Sequence, residues 1–267
     1  MRLNFSEEKK SVKKRFKSNK EQSPQKSAEK SQPEKVKFVR HVVANLAIGL
    51  IVIGLLAFTL TQKTVSVSGA QAPIYKGNSK SKISLMVNVY WGTEYIDEML
   101  DIFEANGVVT TFFVGGTWVA ENDAVLKKIA EKGHEIGNHG YFHKDHKKLN
   151  AERNAEEIGV THKLVKSVIG VDMNLFAPPS GSFGKVTLIE AENLGYTTIM
   201  WSKDTIDWRD HDTEKIYARA TNNLQGGDLV LMHPTENTVL ALDRIIKYAA
   251  SQNLTVSKVS EVLASDE

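Results

Sequence analysis

The chain has 267 residues, with 34 Lys and Arg, 32 Asp and Glu, 8 His and no Cys, and 41% of its residues are hydrophobic. This composition is typical of one globular domain with appendages. The absence of Cys excludes a disulfide scaffold, a Cys-ligated zinc site and thiol catalysis. The net charge of +2 conceals an asymmetry: residues 1–40 contain 13 basic and 5 acidic residues, whereas residues 41–267 contain 21 basic and 27 acidic residues.

The N-terminal segment, residues 1–41, is dominated by Lys, Glu, Ser and Gln. It cannot bury enough apolar surface to offset its ordering entropy, which predicts a disordered tail. Its basic runs would suit nucleic acid or the anionic inner face of a membrane. The segment that follows favours the membrane, so we expect a cytoplasmic tail and no nucleic-acid partner.

Residues 42–62 contain no charged residue over 21 positions. About 20 apolar residues cross a bilayer, so this segment predicts a transmembrane helix with membrane lipid as its partner. It lies too far from Met1 for a simple signal peptide. The positive-inside rule then predicts a single-pass protein of the cell membrane, with the N-terminus cytoplasmic and the C-terminal domain extracellular.

Residues 63–80 are polar and predict a linker, and residues 81–267 predict an α/β domain. In that domain, short apolar runs alternate with amphipathic stretches, which is typical of parallel strands joined by helices. A barrel fits at least as well as an open sheet. The predicted strands lie at residues 83–89, 109–114, 135–137, 175–177, 197–200, 228–232 and 254–256, and the predicted helices at 94–105, 120–132, 151–169, 186–193, 213–223, 239–252 and 257–264.

Polar residues follow several of these strands, where the chemistry of such barrels collects. His139 and His143 follow the third strand, and two His four residues apart on one helical turn can share a metal ion. The alternative is a polar loop with two unrelated surface His, but the placement after a strand favours the metal.

The fifth and sixth strands are also followed by titratable residues. Asp204 and Asp207 follow the fifth strand and His233 follows the sixth. His233 is a candidate acid or base, and an Asp at a neighbouring strand end would hold its tautomer. The alternative is a helix-capping Asp and a buried His that is satisfied by the backbone.

Together these motifs resemble the polysaccharide deacetylases, the NodB-homology enzymes of carbohydrate esterase family four. The resemblance rests on residues 133–139 (Gly-His-Glu-Ile-Gly-Asn-His), His143, residues 204–208 and residues 231–233, and it extends over about residues 82–262. The Thr-Thr-Phe-Phe-Val run at residues 110–114 is similar to the family's second strand. Trp91-Gly92 is most similar to the spore-type deacetylases of Gram-positive bacteria.

The resemblance implies a distorted (β/α) barrel of about seven strands that removes N-acetyl groups from amino sugars of peptidoglycan or chitin-like glycan. A divalent metal, most often zinc, would be held by one Asp and two His, here His139 and His143. A second Asp acts as base and pairs with an Arg, while a His, here His233, protonates the leaving amine. Metal of this kind polarises the amide carbonyl and activates water.

Two motifs depart from the family pattern. Asn88 takes the place of the base and Val89 that of the metal-binding Asp, while Ala177 takes the place of the Arg. Asn cannot accept a proton at neutral pH and Val cannot bind a metal. Asp204 and Glu94 are candidates for a replacement ligand, and Asp204 for a replacement base, although Glu94 is better explained as an acid at a helix N-terminus.

Three functions stay open at this stage. The first is an active cell-wall de-N-acetylase with a modified metal site. The second is a catalytically silent homologue that binds glycan, and the third is an interaction protein whose tail recruits a cytoplasmic partner. The predicted substrate-binding residues are Trp91, Tyr141, Trp208 and Pro179, while His134 is expected to be structural and His146, His162 and His211 to face solvent.

Overall fold

The computed structural model describes residues 34–61 and 71–266. The chain divides into two compact units, Met1–Val65 and Ser66–Glu267. In the first unit the described part is one helix, α1 (Glu34–Thr61). Residues 34–41, which we predicted to be disordered, are therefore helical. The rest of the predicted tail lies outside the described residues.

Helix α1 contains all but the last residue of the predicted transmembrane segment. It begins eight residues earlier than predicted and carries Glu34, Lys35 and Lys37 in its first turn. Among the described helices, none combines the length and the apolarity needed to cross a membrane. The predicted transmembrane helix, and membrane lipid as its partner, are therefore not supported.

The second unit is built on one sheet in which every strand pair is parallel, with the order β5-β4-β3-β2-β1-β7-β6 and with β8 paired to β1. A parallel sheet requires a crossover between neighbouring strands, which the predicted alternation of strands and helices supplies. The strands are β1 (Lys82–Val89), β2 (Thr111–Val114), β3 (Glu135–Asn138), β4 (Leu175–Phe176), β5 (Thr197–Thr198), β6 (Lys203–Asp204), β7 (Leu229–Met232) and β8 (Thr255–Val256).

The connecting helices largely follow the prediction, and α5 has the predicted bounds. Helices α3 and α7 and strand β6 are additions that the sequence pattern missed. The helices are α2 (Ile96–Ala105), α3 (Gly116–Glu121), α4 (Asp123–Glu131), α5 (Ala151–Ile169), α6 (Lys185–Asn193), α7 (Asp207–Asp210), α8 (Thr213–Thr221), α9 (Glu236–Ser251) and α10 (Val259–Leu263).

The sheet is a half-barrel rather than a closed barrel. Strands β5 and β6 are its edges, and among the described residues no strand pairing joins them. Each edge strand is only two residues long. The predicted α/β architecture of parallel strands is thus confirmed, as a half-barrel. Closure of the sheet into a complete barrel is not confirmed.

The two faces of β1 pack into different apolar clusters. Leu85, Val87 and Val89 join the larger cluster, which includes buried residues of the surrounding helices, whereas Met86 joins a smaller cluster on the opposite face. This separation follows from the two-residue alternation of a strand. Asn88 therefore shares the face of Met86, and this is the face that leads to the cavity described below.

Part of the predicted linker is bonded to the domain. Ile74 bridges to Ile199, and Lys76 bridges to Asp228, whose buried carboxylate also lies 3.2 Å from the Lys76 ammonium. Ordered contacts of the domain therefore begin before residue 81.

Truncation of a core side chain tests the packing of β1. Leu85 is fully buried, so Leu85→Ala should lower the free energy of unfolding by about 2–5 kcal/mol. Leu240 in α9 is 59% exposed, so the matched change Leu240→Ala should cost less than about 0.5 kcal/mol. Urea denaturation of the three proteins measures both values, and equal losses would contradict this packing.

Candidate functional site

A cavity of about 450 Å³ lies at the carboxyl ends of the parallel strands. It brings together seven residues that the sequence analysis singled out. These are Asn88, Trp91, His139, His143, Asp204, Trp208 and His233.

Other residues are placed differently from the prediction. Ser180 and Trp201 also line the cavity, although they were not predicted. The position of Trp201 directly after the fifth predicted strand was a signal that would have found it. Tyr141 lies instead at a separate cavity of about 180 Å³, and Pro179 is buried without lining either one.

The loop after β3 carries His139 and His143. It is not a helical turn, so the reason for their proximity differs from the one predicted. The chain reverses through positive φ angles at Gly140 (71°) and His143 (52°), and the two imidazole rings come to lie 5.1 Å apart, centre to centre. Buried Glu157 accepts hydrogen bonds from the backbone N–H groups of Tyr141 and Phe142 and so holds the loop in place.

The ring of His139 has a fixed orientation. Its Nδ1–H donates to the backbone carbonyl of Ala177 over 2.7 Å, because a carbonyl can only accept. The other ring nitrogen, Nε2, keeps its lone pair. Burial, with a smaller contribution from the neighbouring His143, lowers the pKa of His139 to about 3. His139 is thus a neutral imidazole.

His233 and Asp207 form a buried pair. The Nδ1 of His233 lies 2.8 Å from Oδ1 of Asp207, and the backbone N–H of His233 donates to Oδ2 over 2.6 Å. Thr238 donates a third hydrogen bond to the same carboxylate. Burial alone would raise the pKa of Asp207, but the hydrogen bonds and charge of His233 keep it below its ordinary value. The residue that orients His233 is therefore Asp207 and not Asp204.

The altered family positions show what the substitutions leave behind. Asn88 is 3% exposed, and its Oδ1 is buried without a hydrogen-bond partner. Val89 is fully buried in the cluster that packs against the helices. Ala177 packs with Met86 and has no side-chain donor to offer Asn88. In the family an Arg pairs with the base at this position. Because Ala177 replaces that Arg, the Oδ1 of Asn88 has lost the partner that the family would supply.

The residues present do not fit the metal site that the family implies. Within residues 34–61 and 71–266, no group of three His, Asp or Glu side chains is arranged to hold a metal ion. Glu94, a candidate third ligand, lines a different groove, and its carboxylate accepts the Thr93 N–H. Asp204 lines the cavity but does not complete such a group with His139 and His143.

Two of the remaining His residues, His134 and His146, are internal. His134 is buried and its Nδ1 accepts the backbone N–H of Thr110, a structural role as predicted. His146, predicted to face solvent, is fully buried and its Nδ1 is bonded to Asn154, so that prediction was wrong. The cause is the short 3₁₀ turn His146–Lys148, which directs the ring against Phe176.

Comparison with known proteins identifies the family. The sequence model of the polysaccharide deacetylase family matches residues 75–199. The peptidoglycan-N-acetylmuramic acid deacetylase PdaA of Bacillus subtilis is 30% identical over 199 residues, which cover 72% of this chain and 76% of PdaA. The chain belongs to the polysaccharide deacetylase family. Deacetylases of this family are generally metal-dependent.

Two other relatives of this deacetylase-family chain are informative. YlxY of Bacillus subtilis is 40% identical over 192 residues, which span 72% of this chain but only 60% of YlxY. The crystal structure of BA3943 from Bacillus anthracis, described as a pseudoenzyme of carbohydrate esterase family four, superposes with a TM-score of 0.71. It is 35% identical, covering 73% of this chain and 70% of that one, and a BA3943 mutant with restored enzymatic activity gives the same TM-score.

The buried imidazoles predict acid sensitivity of the fold. Burial lowers the pKa of His134 to about 4 and that of His139 to about 3, from 6.5. Below about pH 6.5 the unfolded chain binds protons that these folded rings do not, so the free energy of unfolding falls as the pH drops towards 4.

Urea denaturation between about pH 7 and pH 4.5 measures this dependence. His134→Gln should flatten it by up to about 1.4 kcal/mol per pH unit. The control His211→Gln changes an exposed ring and should leave the slope unchanged. Identical slopes for wild type and His134→Gln would show that His134 does not contribute.

Proposed function

We propose that this chain is a catalytically impaired member of the peptidoglycan deacetylases that binds cell-wall glycan. The observation that carries the proposal is the buried, unpartnered Oδ1 of Asn88 at the position of the family's base. An amide cannot take a proton from water at neutral pH, and general-base catalysis typically contributes about 10²–10⁴-fold in rate.

The loss of catalytic groups affects three positions, 88, 89 and 177, whose residues act together in the family. Val89 cannot bind a metal, and Ala177 cannot supply the positive charge that would keep an Asp at position 88 ionised. Within the described residues, the natural chain has no group of side chains arranged to hold the family's metal ion.

A glycan-binding surface remains around the cavity. Trp91 stacks on His233 with ring centres 5.4 Å apart, and its side chain is 45% exposed, while Trp208 is 51% exposed. Rings that are half in solvent can take the apolar face of a sugar, whereas fully buried rings cannot. The relative named PdaA acts on N-acetylmuramic acid of peptidoglycan, which supports cell-wall glycan as the ligand.

An active but slow deacetylase is the second candidate. The Asp207–His233 pair favours it, because a His held by a buried carboxylate is suited to protonate a leaving amine. The relative described as a pseudoenzyme supports the impaired alternative. A cytoplasmic partner of the tail stays a prediction, because residues 1–33 lie outside the described residues.

The proposed ligand, a cell-wall glycan, supports the further proposal that the domain lies outside the cytoplasmic membrane. Protease added to intact, wall-stripped cells should then digest the domain of residues 71–266. Full protection of the domain, with lysed cells as the control for cleavage, would overturn this location.

Restoring the family motifs tests the functional proposal. The natural full-length chain should pull down with purified peptidoglycan yet release acetate from it at least about 10²-fold more slowly than the restored chain. The restored chain carries Asn88→Asp, Val89→Asp and Ala177→Arg together with added zinc. Arg is included because an unpaired, partly buried Asp would take up a proton.

One control variant separates chemistry from folding. Adding His233→Ala to the restored chain should abolish acetate release while leaving peptidoglycan binding detectable. Rapid acetate release by the natural chain would refute the impaired state. Failure of the natural chain to bind peptidoglycan would refute glycan binding.

A further inference from the structure

The cavity has an unusual charge composition for a site that would hold an acetamido group. Of its ten lining residues, Asp204 is the only one with a carboxylate or a permanent charge, and no Lys or Arg contributes to the wall. One Asp204 oxygen accepts the backbone N–H of Ile206, which leaves the other oxygen available. Arg209, which follows Trp208 in the chain, is paired with Asp210 and also interacts electrostatically with Asp204 from outside the cavity wall.

Two buried imidazoles also line the cavity. His139 is 2% exposed, its Nδ1–H is used by Ala177, and its Nε2 has no partner. His233 is 9% exposed, and its Nδ1 is bonded to the carboxylate of Asp207. The Nε2 lone pair of His139 and the second oxygen of Asp204 thus offer acceptors to whatever enters the cavity.

These groups discriminate between two states of an amino sugar. The carbonyl of an N-acetyl group needs a donor or a cation, and the cavity offers neutral donors such as the Asn88 amide and the Ser180 hydroxyl but no Lys, Arg or complete metal site. A protonated primary amine has three N–H donors and a positive charge, so it matches acceptors and a carboxylate. We propose that the cavity recognises the free C2 amine of a de-N-acetylated amino sugar in the glycan, an inference that rests on the proposed glycan binding.

A primary amine could come from the sugar or from a stem peptide attached to it. The aromatic residues favour the sugar. Trp91, Trp201 and Trp208 line the same cavity as Asp204, so a pyranose ring can contact an indole while its C2 amine reaches the carboxylate. A peptide side-chain amine would place no sugar ring against these indoles.

Calorimetric titration of the full-length chain tests the assignment. The ligands are a glucosamine tetramer, an N-acetylglucosamine tetramer, and an acetylated muropeptide that carries a stem-peptide amine. EDTA is present throughout, so that a metal ion does not occupy the imidazoles. The glucosamine tetramer should bind about tenfold more tightly than the acetylated tetramer, as expected for one charge-assisted hydrogen bond.

A matched pair of variants locates the effect. Asp204→Asn keeps the shape of the side chain and removes its charge, so the preference for the amine should fall to about twofold or less. Asp101→Asn removes an exposed carboxylate of α2 and should leave the tenfold preference unchanged.

The outcomes separate this inference from the functional proposal. Equal binding of both tetramers would overturn the inference and leave glycan binding intact, as would tighter binding of the acetylated one. Tight binding of the muropeptide alone would assign the amine to the peptide and so overturn the sugar assignment. No binding of any ligand would count against both proposals. A preference that Asp204→Asn does not reduce would show that the cavity carboxylate is not the receptor.

Discussion

The hydrogen bond from His139 to the carbonyl of Ala177 is the contact on which the rest of the site depends. Strands β3 and β4 are joined by a single register pair, Asn138 with Phe176, and by the Ala177 N–H donating to Asn138. The His139 bond extends this short ladder by a side chain. It fixes the imidazole tautomer and directs the other nitrogen away from the backbone, as is typical of oriented metal-ligating or catalytic His.

Ala177 shows how the backbone can keep a role that the side chain has lost. Its carbonyl still orients His139, but its methyl group gives nothing to Asn88. An unsatisfied buried acceptor costs about 1–3 kcal/mol, whereas an unpaired buried carboxylate would cost more or take up a proton. When position 177 is Ala, an amide at position 88 therefore destabilises the fold less than a carboxylate would. The two substitutions are physically coupled, and Val89 removes the remaining carboxylate from the same motif.

The sequence predicted the parts of the fold that local signals control. Helix α5 was placed correctly because Asn150 caps its first turn and Gly170, with φ of 72°, ends it. Strand β6 was missed because two residues carry no periodicity, and it is defined only by pairing with β7. The proximity of His139 and His143 was expected for the wrong reason, since loop reversal at positive φ angles replaces the helical turn.

The division of labour between Asp204 and Asp207 depends on tertiary structure that spacing does not encode. Ile206 has a left-handed backbone, with φ of 53°, and this reversal starts α7 so that Asp207 points into the protein and Asp204 remains at the cavity. Asp207 is fully buried, and both of its carboxylate oxygens accept hydrogen bonds, from His233, Thr238 and the backbone N–H of Trp208. Its charge is thereby satisfied inside the fold. Asp204, at the end of β6, accepts one hydrogen bond from the Ile206 N–H, so this short segment provides one carboxylate that orients an imidazole and another that lines the cavity.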